Sequence, residues 1–144
     1  MKIKQLTLQS ENNSPFWEIK VLLVETNFLT IRLIEKVFEN TNTSYFINKI
    51  NNISDLNYEL KYNRPDVIIS GRKMQHFMGV DVMNQVNLLA PEIPVLLFVT
   101  DFDAKENLEL VNMGVYDIVY HSEIFRLPKE VNFLFQSILL NKAQ

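Results

Sequence analysis

Four short apolar runs constrain this chain most. They are Ile19-Lys20-Val21-Leu22-Leu23-Val24, Asp66-Val67-Ile68-Ile69, Pro94-Val95-Leu96-Leu97-Phe98-Val99 and Tyr116-Asp117-Ile118-Val119-Tyr120. Each has the length of a strand and is rich in β-branched residues. Most are nearly continuous rather than alternating, which is how strands covered on both faces read. A fifth run, Tyr45 to Ile50, alternates more and is expected nearer a sheet edge.

Helical patterns fill the gaps. Asn27 can cap a helix that turns Ile31, Ile34, Val37 and Phe38 inward, and Ser54 can cap a short one through Leu56 and Leu60. Val82, Met83, Val86, Leu89 and Ala90 follow helical spacing up to the stop at Pro91. Asp103 and Glu106 have capping-box spacing. Leu108 and Val111 continue that helix, Leu110 lies off its stripe, and Gly114 sits where a terminating glycine belongs. Pro128 suits a first turn, and Val131, Leu134, Phe135, Ile138 and Leu139 form the inward stripe of a last helix. The order is strand then helix, repeated. It predicts an α/β fold: a doubly wound parallel sheet between two helical layers, with right-handed crossovers. Ligands of such folds bind beyond the carboxyl ends of the strands. Here that edge carries Glu25-Thr26, Gly71-Arg72-Lys73, Val99-Thr100 and His121-Ser122.

Composition removes several classes of function. The 144 residues suit one domain, expected over 19–141, with 1–18 as an extension that is either a loosely held tail or a docking arm. A net charge of −3 argues against a nucleic-acid partner. No run approaches the roughly 18 apolar residues of a membrane span, and a cytoplasmic protein is expected. With no cysteine, thiol catalysis and Cys-ligated zinc are excluded. His76 and His121 with Glu25 could form a zinc set only if the loops brought them together, and solvated loop histidines are the expected reading.

Lys20–Asn27, Arg64–Gly71, Gly79-Val80-Asp81-Val82, Ile93–Val99 and Asn112–Val119, in this order and spacing, resemble the receiver domain of two-component response regulators. The likeness covers about residues 19–140. It implies a flavodoxin-like (βα)5 sheet in the order 2-1-3-4-5, in three layers, and a place in bacterial phosphorelay signalling. Receivers hold Mg²⁺ with an acidic pair after the first strand and phosphorylate an aspartate after the third. On this chain the pair falls on Glu25 and Thr26, and the acceptor on Gly71. The Ser/Thr that contacts the phosphoryl group falls on Val99, the lysine on His121, the proline after it on Ser122, and the aromatic switch residue on Ile118. One carboxylate and one hydroxyl are poor ligands for a hard cation, so Mg²⁺ binding is expected to be weak or absent, with no other cofactor. Without a carboxylate at position 71 there is no nucleophile for in-line transfer. Lys73 or His121 is expected to pair with Glu25 in place of a metal, and the domain to hold a single locked conformation.

The implied function is a non-enzymatic signalling module that works through protein contacts with a kinase, an output domain or a second copy. In the family the fourth helix, fifth strand and fifth helix often serve as that face. Leu110, Phe133 and Leu140, off their core stripes, are the candidates here, with a homodimer through the last helix as one form. Two alternatives stay open: an atypical working phosphoacceptor, and a flavodoxin-like binder of a small ligand. The stretch Glu123–Val131 also resembles receivers joined to sensor or kinase modules, so the chain could be a segment of a longer protein.

Overall fold

The computed structural model describes residues 18–143. The extension expected over 1–18 lies, but for Glu18, outside them. The strands are β1 (Ile19–Val24), β2 (Tyr45–Ile50), β3 (Val67–Gly71), β4 (Val95–Val99) and β5 (Asp117–Tyr120). Between and after them run α1 (Phe28–Glu39), α2 (Ile53–Tyr62), α3 (Gly79–Leu89), α4 (Ala104–Asn112) and α5 (Arg126–Ala143). The strands form one sheet in the order β2-β1-β3-β4-β5, and every pair is parallel. This is the flavodoxin-like topology expected, with Tyr45–Ile50 on an edge.

The pleat sorts the apolar runs into two cores. Ile19, Val21, Leu23, Val67, Ile69, Leu96 and Phe98 pack with Ile34 and Phe38 of α1 and Leu127, Val131, Leu134 and Phe135 of α5. The alternate positions Leu22, Val24, Ile68, Leu97 and Val99 pack with Leu56 and Leu60 of α2, Val82, Met83 and Val86 of α3, and Leu110 of α4. A strand buried on both faces needs apolar residues at every position, which is why these runs are unbroken.

Helix ends follow local chemistry. Asn27 Oδ1 accepts the Thr30 N–H, as expected, and Asp103 Oδ1 accepts the Glu106 N–H. Gly114, at φ +106°, ends the turn after α4 in the left-handed region where glycine has no Cβ to clash. The α2 cap differs from expectation. Asn52, not Ser54, accepts the Asp55 N–H at 2.7 Å, because β2 ends at Ile50 and the helix begins at once.

The phase of α4 also differs. Leu108 and Val111 are exposed, whereas Asn107 and Leu110 face inward. Leu110 is 1% exposed and belongs to the core, which removes it from any interaction face. The inner stripe carries an amide, so apolar spacing alone points to the wrong side of the helix. Phe133 and Leu140 of α5 are exposed as expected. Among the described residues, no helix is long and apolar enough to cross a membrane.

Candidate functional site

The parallel register brings the site together. Val24 lies beside Ser70, so one further step of each strand sets Glu25 against Gly71 at the carboxyl edge of the sheet. Gly71 pairs in turn with Phe98 on β4, and Val99 with Tyr120 on β5. A crevice of about 320 Å³ opens over this edge, lined among others by Glu25, Gly71, Arg72, Lys73, Val99, Thr100 and Asp101.

Glu25 is 7% exposed. Its Oε1 accepts the N–H groups of Thr26 at 2.8 Å and Asn27 at 3.2 Å. Its Oε2 sits 2.6 Å from the point where a Cβ on residue 71 would lie, and Met74 Sδ sits 2.8 Å from that point. Glycine at position 71 is thus what leaves room for the Glu25 carboxylate. The Thr26 hydroxyl is engaged on the other side, where it accepts the Gln75 N–H at 2.9 Å and ties the loop after β3 to the loop after β1.

Burial raises the Glu25 carboxyl above its ordinary 4.5, and the N–H groups of Thr26 and Asn27 partly oppose that rise. An acid whose folded pKa is raised binds its proton more tightly in the native state than in the unfolded chain. Its contribution to stability is therefore full below about the unfolded value and declines as pH rises through the folded one. Glu25→Gln keeps an oxygen for the two N–H groups and removes the charge. It is expected to stabilise the fold at pH 7 and to flatten this part of the pH dependence, read by urea denaturation from pH 4 to 8.

The cations do not go where expected. Lys73 Nζ lies 3.4 Å from Glu106 Oε1 on α4. His121 is exposed in the short turn after β5, with its ring centroid 6.1 Å from that of Phe98. Among the described residues, no cation pairs with Glu25, which corrects the expected Lys73 or His121 partner. The cause is local: Lys73 bridges to Met78, and this tight turn carries the chain from the end of β3 to the start of α3. His76 sits inside the same turn at φ 77°, where the Met74 N–H donates to the Phe77 carbonyl.

Arg72 is the residue whose importance spacing did not reveal. It is 4% exposed. Its guanidinium donates to Asn107 Oδ1 at 2.9 Å, to the Asp101 backbone carbonyl at 3.3 Å and to the Asp101 carboxylate. Nε lies 3.6 Å from Glu106 Oε2. The Asn107 amide then donates from Nδ2 to the Tyr120 hydroxyl at 2.9 Å, and the Tyr120 ring stacks on Phe102 at 6.2 Å. One buried cation thus joins the end of β3, the β4–α4 loop, α4 and β5. Ile118, the expected switch position, is partly buried and packs against the apolar core.

A divalent cation would need several oxygen ligands around this corner. Glu25 Oε1 and the Thr26 hydroxyl are already committed to backbone N–H groups. Among the described residues, no group of three His, Cys, Asp or Glu side chains gathers to hold a metal. Glu25 Oε2 is then the carboxylate oxygen left at this corner, a sparse set for Mg²⁺, and His76, His121 and Glu25 do not gather as a zinc set. Other nucleophiles near β3 are engaged too. Ser70 is fully buried and its hydroxyl donates to the Gly71 carbonyl, while the Asp66 carboxylate accepts the Lys20 N–H at the far end of the strand.

A family model for the response regulator receiver domain matches residues 21–123. The chain belongs to that family. A curated relative, the protein-glutamate methylesterase/protein-glutamine glutaminase of Clostridium acetobutylicum, is 28% identical over 130 residues. That match takes in 88% of this chain but 38% of the relative, so the chain spans well under half of that enzyme's length. Among solved structures, a signal receiver domain from Vibrio parahaemolyticus superposes at a TM-score of 0.75 and 19% identity, covering 88% of this chain and 97% of that one. The receiver domain of the sensor histidine kinase PA1611 from Pseudomonas aeruginosa superposes at 0.72 and 13% identity, covering 83% and 99%. That structure carries a magnesium ion in its active-site cleft. At these identities the likeness is one of fold. Receiver domains are signalling modules that engage kinases and output domains, and this chain shares their architecture.

Proposed function

We propose that this receiver domain takes up no phosphoryl group and transmits its signal through protein contacts alone. The observation that carries the reading is the Glu25 oxygen 2.6 Å from where a side chain at position 71 would begin. The acceptor position bears only hydrogen, and the neighbouring carboxylate fills the space above it. The Thr26 hydroxyl and the Lys73–Glu106 pair support the same reading, since the hydroxyl already accepts the Gln75 N–H and the ammonium already has a carboxylate partner. Phosphoryl transfer is positioning plus charge stabilisation, and here the acceptor carboxylate is missing while Glu25, Thr26 and Lys73 have other partners.

The exposed side chains Phe133 and Leu140 on α5 are the face we assign to such contacts, with self-association through α5 as its simplest form. A kinase or an output domain is the alternative partner on that face. The domain, over 19–141, has no enzymatic activity of its own in this reading and works in the cytoplasm. Membership in the receiver family leaves the flavodoxin-like ligand binder without support.

The test is exposure to acetyl phosphate with excess Mg²⁺, followed by intact mass and by amide NMR with beryllofluoride. No phosphoryl mass increment and no shift of the resonances around Glu25, Gly71 and Val99 are expected. A stoichiometric increment would establish the atypical phosphoacceptor instead.

A further inference from the structure

We propose that Trp17, outside the described residues and two positions before β1 begins, seats in the apolar groove between α5 and the loop that precedes β2. The segment before β1 is then a strap on the chain's own fold. This goes beyond the phosphate-free reading and does not depend on it.

The groove lies where β1 begins. Its volume is about 370 Å³, and it is lined by Ile19 of β1, by Phe135, Gln136 and Leu139 of α5, and by the loop 42–44, among others. Its floor is apolar and its rim polar. That mixture suits an indole, whose ring gains by burial and whose N–H needs an acceptor once buried. The walls are already held in place. The Ile19 N–H donates to the Ser44 carbonyl at 3.0 Å, and the Tyr45 hydroxyl donates to Asn132 Oδ1 at 2.6 Å, tying β2 to α5. A preformed groove spares its occupant the cost of ordering the walls.

Connectivity names the occupant. Glu18 is exposed and Ile19 buried, the alternation of a strand entering a sheet. One step further back, the same period returns position 17 to the side of Ile19, which packs in the core that holds Phe135 and Leu139. A single residue separates Trp17 from the groove's own lining. Closing that contact costs little chain entropy, whereas a second molecule would give up its translational and rotational freedom. Phe133 and Leu140 do not line the groove, so the strap leaves open the face assigned to partners.

The chain has one tryptophan and no cysteine. Intrinsic fluorescence therefore reports position 17 alone, and one introduced cysteine can carry a nitroxide that quenches an indole at short range. In the full 144-residue chain, native emission should lie to the blue of the urea-unfolded chain and be quenched several-fold less by acrylamide. A nitroxide at Gln136→Cys, exposed on the rim, should quench that emission several-fold. The same label at Lys61→Cys, exposed on α2 across the sheet, should leave it unchanged. Leu139→Glu puts a charge in the floor and should move the emission to the red with helical circular dichroism retained; if that variant does not fold, the two labels, both at exposed positions, carry the test. Native emission at the unfolded wavelength, equal quenching from both labels, or a folded Leu139→Glu with unchanged emission would overturn the strap. A blue shift that disappears on dilution would overturn it too, by giving the groove to a second copy.

Discussion

Leu110→Ala is expected to destabilise the protein by about 2–5 kcal/mol, whereas Leu108→Ala, two residues away, should stay within about 0.5 kcal/mol of wild type. Leu110 is 1% exposed and packs in the core on the α3 side of the sheet; Leu108 is 61% exposed. Removing the buried side chain loses its transfer free energy and leaves a cavity among neighbours such as Val115, in a region fixed by the turn at Gly114. Removing the exposed one loses little more than surface. Equilibrium denaturation in urea with a shared m-value reads both. Equal effects, or a larger one at Leu108, would mean that α4 is rotated from the phase described here.

The second large effect is at Arg72. Arg72→Ala should cost about 2–4 kcal/mol, because Asn107 Oδ1 loses its buried donor and the packed stem leaves a void. The exposed Asp101 carboxylate can return to water, so that ion pair adds little of its own. Arg72→Met, which keeps the stem, should recover part of the loss. Arg72→Lys should do little better than methionine, since an ammonium cannot reproduce the fork that reaches Asp101 and Asn107 at once. In both neutral variants the β4–α4 loop loses its tether to β3, and relaxation-dispersion NMR should show millisecond exchange near Asp101, Asn107 and Tyr120 that the wild type lacks. Exchange already present in the wild type would contradict the locked conformation.

The two cases show what could be read from the chain and what could not. The sheet was legible because strands buried on both faces must be apolar throughout, as Val21–Val24 and Val95–Val99 are. Its strand order came from resemblance, since periodicity carries no information about neighbours. Apolar spacing points to the wrong phase of α4 because its inner face carries Asn107, and an amide does not register in an apolar count. The α2 cap is ambiguous in the sequence because Asn52 and Ser54 are both competent caps, and only the end of β2 decides for Asn52.

The site was half legible. Its positions followed from the ends of the strands, and Gly71 was visible as a missing side chain. The partners were not. Arg72 finds Asp101 and Asn107 far along the chain, and nothing in a lone basic residue after a strand says that it will be buried. The Glu25 contact over Gly71 depends on the β1–β3 register, which becomes available only once the strands are paired.

β1 is hydrogen-bonded on both sides, to β2 and to β3. As the polypeptide leaves the ribosome, Val21-Leu22-Leu23-Val24 can meet β2 early but has an open flank until Val67–Ser70 has emerged. A product truncated before that point carries a long apolar strand with unsatisfied backbone groups, the form most prone to pair with another nascent chain. Four residues of β3, Val67 to Ser70, thus decide when the inner flank of β1 is closed.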